Sequence, residues 1–176
     1  QTNTDPGASS PAVSCGVIMS TVTSVTFSVQ AGDRVAYRHN VEATFTFTPS
    51  GYGLLSGTPL VRVTLNYPSG FFDTSVTPTA SVSVGYSESM TTENPGETSI
   101  VLDVLEDHLS QHIGRDDSYT ITLRGCTLGM ARAATDSVTV QTNTDPGASS
   151  PAVSCGVIIS KVQYAVLELA AADQKA

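Results

Sequence analysis

The sequence predicts an all-β fold, an antiparallel β-sandwich module in a tandem repeat array, with the first strands of the next repeat at the C-terminus. Three observations predict it. Seven short stretches alternate apolar and polar residues with the period of two that a half-buried strand requires. Clusters of Gly, Pro, Asn and Asp, residues that set turns, separate those stretches. The eighteen residues QTNTDPGASSPAVSCGVI occur twice, at 1–18 and again at 141–158, 140 positions further on.

The same offset carries beyond the identical part. Residues 21–36 lie over 161–176, with Val22/Val162, Ala31/Ala171, Asp33/Asp173 and Ala36/Ala176 identical and Phe27/Leu167 and Val29/Leu169 conservative. An identical stretch that drifts while keeping its hydrophobic pattern is the signature of a repeat array. It divides the chain into an inter-repeat hinge (1–12), a sandwich repeat (13–140), a second hinge copy (141–152) and the opening strands of the next repeat (153–176).

Taken in order, residues 1–12 are turn and linker types throughout. From residue 13 to 30 the chain becomes strand-like, with Val25, Phe27 and Val29 alternating with Thr26 and Ser28, and 31–40 is a polar turn. Residues 41–48 put Val41, Ala43, Phe45 and Phe47 on one face and Glu42, Thr44, Thr46 and Thr48 on the other. After a Gly/Pro loop at 49–59, residues 60–67 alternate again, with Val61, Val63, Leu65 and Tyr67 inward, and Phe71 and Phe72 follow as a core-plugging loop. Further strands are read at 81–86, 99–105, 119–124 and 137–141, with one or two helical turns at 104–113. Seven such strands make a Greek-key, immunoglobulin-like sandwich the default architecture, without the tryptophan that marks antibody domains.

Hydrophobic residues make up 40% of the 176 and charged residues 14%, the balance of a Ser/Thr-rich extracellular β module. A formal net charge of −8, with no basic cluster, excludes nucleic acid as a partner. No apolar run reaches the length of a membrane helix, and no cofactor is expected.

The cysteines are Cys15, Cys126 and Cys155, the last being the repeat copy of the first. Two per repeat point to one disulfide per domain and an oxidising compartment. The bridge is either Cys15 with Cys126 inside one repeat or Cys126 with Cys155 across the junction. In a head-to-tail array Cys15 and Cys126 fall at one pole, which favours the first; closing so long a loop contributes roughly 4 to 5 kcal/mol.

The combination VTFSVQAGDRVA, NYPSGFF, YTITLRGCTLG and SVTVQTNTD with a Ser/Ala/Pro hinge resembles tandem immunoglobulin-like repeats of large surface proteins of algae and protists, including the filaments of flagellar hairs (mastigonemes). The two cysteines depart from that pattern. The resemblance implies an extracellular, glycosylated fibre or adhesin, located at the cell surface, whose partners are neighbouring repeats, other copies of the protein, or glycan.

Chemistry has few places to reside. His108 and His112 are one helical turn apart, but Leu109 stands where a hydrolytic zinc motif needs Glu, and His39 is read as exposed in a polar turn. Asp5 and Asp145 at the junction, and Asp116 and Asp117, are calcium candidates without the spaced D-x-D-x-D-G pattern. No nucleophile elbow or phosphate loop occurs, so no enzymatic activity is expected. No N-x-S/T sequon is present, which leaves sugar on Ser, Thr or hydroxyproline beside Pro. If the loops bind a glycan or a surface partner, Tyr52, Phe71 and Phe72 are the contacts, and their burial would favour the structural role.

Overall fold

Val41–Thr48 behaves as its alternation requires: Val41, Ala43, Phe45 and Phe47 are fully buried, and Glu42 is exposed on the opposite face. The computed structural model describes residues 21–50, 62–83, 87–93, 95–104, 118–143, 145–149 and 151–161. Within them the chain is all-β. Its strands are β1 (Thr23–Val29), β2 (Val41–Thr48), β3 (Arg62–Asn66), β4 (Thr79–Ser83), β5 (Ser87–Thr92), β6 (Ser99–Val104), β7 (Tyr119–Cys126), β8 (Asp136–Thr142) and β9 (Val153–Ser154). The expected helical turns after residue 104, like the first hinge and the 51–60 loop, lie outside the described residues.

The strands form one sheet in the order β1-β2-β7-β4-β5-β6-β3-β8-β9, and every neighbouring pair is antiparallel. The sheet curls until its two ends meet. Residues flanking β1 and β9 form isolated parallel bridges, Thr21 with Gly147 and Val35 with Ile159, so the sheet is nearly a barrel. Hydrogen bonding therefore runs from one wall to the other through β5 and β6. Two bulges help the curl. Ser24 sits at φ 52 where the β1–β2 register shifts, and Gly125 at φ 80 precedes Cys126 where the β2–β7 register shifts.

Inside the curl, Phe45, Phe47, Val63, Leu65, Ile121, Leu123, Val138 and Val140 are buried from both walls. Each large side chain contributes about 1.5 to 3 kcal/mol through the apolar surface it removes from water. Phe71 and Phe72 plug one end as the sequence predicts. Phe71 packs edge-on against Phe27 (5.5 Å between ring centroids) and Phe72 (4.9 Å), and Phe72 against Tyr67 (5.0 Å). The loop reaches this depth because Gly129 lies against it: the Gly129 amide donates to the Phe71 carbonyl (2.9 Å), and a Cβ at Gly129 would run into the Gly70 carbonyl oxygen.

Two expectations are corrected. Residues 87–92 form a strand of their own, β5, which the polar sequence SESMTT concealed; its one apolar residue, Met90, is buried opposite Ala80 of β4. The strand at the expected 140/141 boundary is continuous: β8 runs through it to Thr142, and β9 (Val153–Ser154) pairs with β8 in the same sheet. Asp145, Ser149, Cys155 and Ile158, all within the second identical copy, are buried. The Asn, Asp, Pro, Gly and Ser that read as a hinge build a tight fold-back instead.

Candidate functional site

The segment that closes the barrel is the candidate interaction site. After β8, the Thr142 amide donates to the Asp145 carbonyl (3.0 Å) and the Asp145 amide to Thr142 Oγ1 (2.8 Å), which reverses the chain. Gln141 Nε2 donates to the Pro146 carbonyl at 2.8 Å. Ser149 then lies back along β8: the Val140 amide donates to its Oγ (3.0 Å), and its own amide donates to the Val140 carbonyl (3.2 Å). The turn residues thus satisfy their own backbone, which is what allows a polar sequence to be buried here.

Asp145 anchors the start of this segment. Its carboxylate is fully buried and accepts the Ser50 amide on Oδ2 at 2.9 Å and the Ser50 hydroxyl on Oδ1. The calcium candidate is thereby an internal tie between residues 95 positions apart in sequence. Among the described residues no three His, Cys, Asp or Glu side chains come together. Asp5, Asp116, Asp117, His108, His112 and Tyr52 lie outside the described residues.

Arg34 and Arg132 hold the other end. Arg34 Nε donates to the Val29 carbonyl (3.0 Å) and Nη1 to the Cys155 carbonyl (2.7 Å), and the Ile159 amide donates to the Arg34 carbonyl (2.9 Å). The guanidinium also lies 6.0 Å from the centroid of Phe27. Gly156, at φ +72, leaves the room this needs, since a Cβ there would strike Arg34. Arg132 exchanges both backbone bonds with Ile158 (2.9 and 3.0 Å), while its Nη1 donates to the Ser69 carbonyl (2.8 Å).

Among the described residues the alternative bridge, Cys126 with Cys155, is not made, and the first, Cys15 with Cys126, involves a residue outside them. Cys126 and Cys155 are both free and buried, and Cys15 lies outside the described residues. Cys126 ends β7 opposite Val41, whereas Cys155 follows β9 and contacts the Thr135 amide and hydroxyl at 3.4 Å each, so the two thiols belong to different parts of the barrel. Burial pushes the Cys126 thiol up to about 12. Cys155 nevertheless packs in the same buried core as the side chains of β2 and β7.

Beside the exit of the described chain, Tyr37 (60% exposed), Met130 (68%) and Ile159 (56%) present large apolar side chains to solvent. An open cleft there is lined by Ala36, Tyr37, His39, Met130, Ala131, Ser160 and Lys161. Tyr37 is held out by a left-handed backbone (φ 58) whose amide donates to the Gly129 carbonyl at 3.1 Å. His39 is exposed as predicted, with Nδ1 3.1 Å from Thr127 Oγ1. Sequence reasoning missed this patch and both anchoring arginines, since isolated residues in polar loops carry no periodicity. The one available signal was the identity of the two copies, which holds Asp, Ser, Cys and Ile at the positions that are buried. Comparison with family models, with curated proteins and with solved structures found no match.

Proposed function

We propose that this chain is a structural repeat module of an extracellular fibre or surface filament, with a mechanical and assembly role and no catalysis. One observation carries the reading. Thr21, just before β1, bridges Gly147, and Val35, just after it, bridges Ile159, so the segments flanking the 140-residue offset meet the barrel at opposite ends of β1, with Tyr37, Met130 and Ile159 exposed at the second. A module built this way passes the chain from end to end, as a head-to-tail array requires. By the 140-residue offset Lys161 is the counterpart of Thr21, so a following repeat begins directly after the closing segment. Neighbours would then abut without a free hinge, and the apolar patch at the exit would be covered by the next module. Such stacking makes stability a sum of module and interface contributions.

The strand order supports the finer, immunoglobulin-like reading. One wall runs β1-β2-β7-β4 and the other contains β3-β8-β9, which matches strands A-B-E-D and C-F-G in chain order. The β5–β6 hairpin is then an insertion that joins the walls. With Cys126 and Cys155 free, resistance to pulling rests on the backbone ladders and on the Arg34 and Asp145 ties. Burial of Phe71 and Phe72 takes two of the three loop contacts away from an adhesin that binds glycan. The Ser/Thr-rich surface and Pro-flanked hydroxyls favour O-linked sugar as a coat.

Immunogold labelling of the source cells with antibodies against this chain tests the reading. Gold along surface filaments at a regular spacing is the expected outcome. Labelling confined to the cell interior would sink it, and tight saturable binding to one glycan on an array would favour the adhesin.

A further inference from the structure

The closing segment occupies a site for which the sequence holds two identical candidates, because its eighteen residues 141–158 are identical to residues 1–18. Every described buried side chain of the occupant has its counterpart: Thr142 in Thr2, Asp145 in Asp5, Ser149 in Ser9, Cys155 in Cys15 and Ile158 in Ile18. The rest of the recognition is made to backbone, through the Arg34 bond to the Cys155 carbonyl, the paired bonds of Arg132 with Ile158 and the bond from the Ile159 amide to Arg34. Backbone bonds of this kind do not distinguish Met19 from Ile159, the first position at which the copies differ.

The geometry decides which copy can use the site. Position 158 lies beside Arg132 and position 159 beside Val35, at the far end of β1 from Thr21. The seven residues of β1 separate those ends by roughly 20 Å. Only three steps of chain join residue 18 to residue 21, a reach of at most about 11 Å. A chain whose β1 is in place therefore cannot seat its own residues 1–18 in its own site, whereas a second molecule can.

We propose that residues 1–18 of one copy of this chain dock in the barrel-closing site of another copy, in place of that molecule's residues 141–158, and so link copies by exchange of an identical segment. The exchange breaks and remakes the same contacts, which is what makes segment swapping a low-cost route to assembly. What opposes it is the local concentration of the resident segment, on the order of millimolar for a short tether. Linked species therefore grow with protein concentration. This inference goes beyond the filament reading and does not depend on it.

Disulfide trapping in the full chain tests it. Thr135 is exposed and its hydroxyl lies 3.4 Å from the Cys155 sulfur, so a thiol at position 135 reports which cysteine is seated. In Thr135→Cys/Cys155→Ser the resident segment has no thiol, and under diamide the expected products are covalent dimers and longer multimers. Their yield should exceed that of Cys155→Ser alone at least several-fold and rise with protein concentration, and peptide mapping should join position 135 to Cys15. Monomer at every concentration, or multimers joined only through Cys15 to Cys15, would overturn the proposal. If circular dichroism shows the double variant unfolded, Thr135→Cys alone gives the answer. Its monomer should carry the 135 to 155 bridge and its multimers the 135 to 15 bridge, and multimers without the latter count against the proposal.

Discussion

Arg34 donates to the carbonyl oxygen of Cys155 at 2.7 Å, across 121 residues of sequence. It joins the turn after β1 to the segment after β9 at the seam that, among the described residues, isolated bridges close. A charged donor on a part-buried carbonyl is among the stronger hydrogen bonds a fold can make. Arg34→Ala should lower unfolding stability by about 2 kcal/mol. Urea denaturation measures it, and hydrogen exchange should show the Ile159 amide opening first. An unchanged midpoint would mean that the seam is held elsewhere.

Asp145 ties the other end of the same segment to Ser50. Asp145→Ala leaves the Ser50 amide without its acceptor and should cost about 2 to 3 kcal/mol. Asp145→Asn keeps the shape but offers Ser50 one donor in place of an acceptor, and the Ser50 hydroxyl can rotate to receive it, so a smaller loss is expected. Equal loss in both variants would contradict this account.

At Gly129 the constraint is steric. A methyl group there meets the Gly70 carbonyl, on the loop that carries Phe71 and Phe72 into the core. Gly129→Ala should destabilise the fold by about 1 to 3 kcal/mol through forced displacement of that loop. Gly32→Ala, where no atom lies within 4 Å of the added carbon, is the control and should stay near neutral.

The buried thiol of Cys126 sets an alkaline limit. Its folded value is pushed up to about 12 by burial, against 9.0 for an ordinary thiol, so between those values the unfolded chain releases a proton that the folded chain keeps. Stability should hold below pH 9 and fall as pH rises from there to about 12. Tyr67, also raised by burial, adds a loss of the same sign at higher pH. Cys126→Ala should flatten the urea midpoint between pH 9 and 10.5 relative to wild type, even if it starts lower through the cavity it leaves.

The alternation of residues 41–48, 60–67 and 119–124 determined by itself that these stretches hold strands and which face of each is buried where they are described, because a period of two reports burial directly. The Phe71–Phe72 plug was legible for the same reason: two large apolar side chains in a short polar loop must find cover. Which strands are neighbours was decided only in the tertiary structure, since alternation names a face and not a partner; β5 entered the sheet through β4 and β6 despite a polar sequence. The fate of the repeated segment was decided there too. Its buried residues Asp145, Ser149, Cys155 and Ile158 follow no period, and Asn, Asp, Pro and Gly serve a loose linker and a tight turn equally well. The sequence alone determined that the segment is duplicated. Only the partners that Ser50, Arg34 and Arg132 bring from distant parts of the chain turned it from a hinge into the piece that closes the barrel.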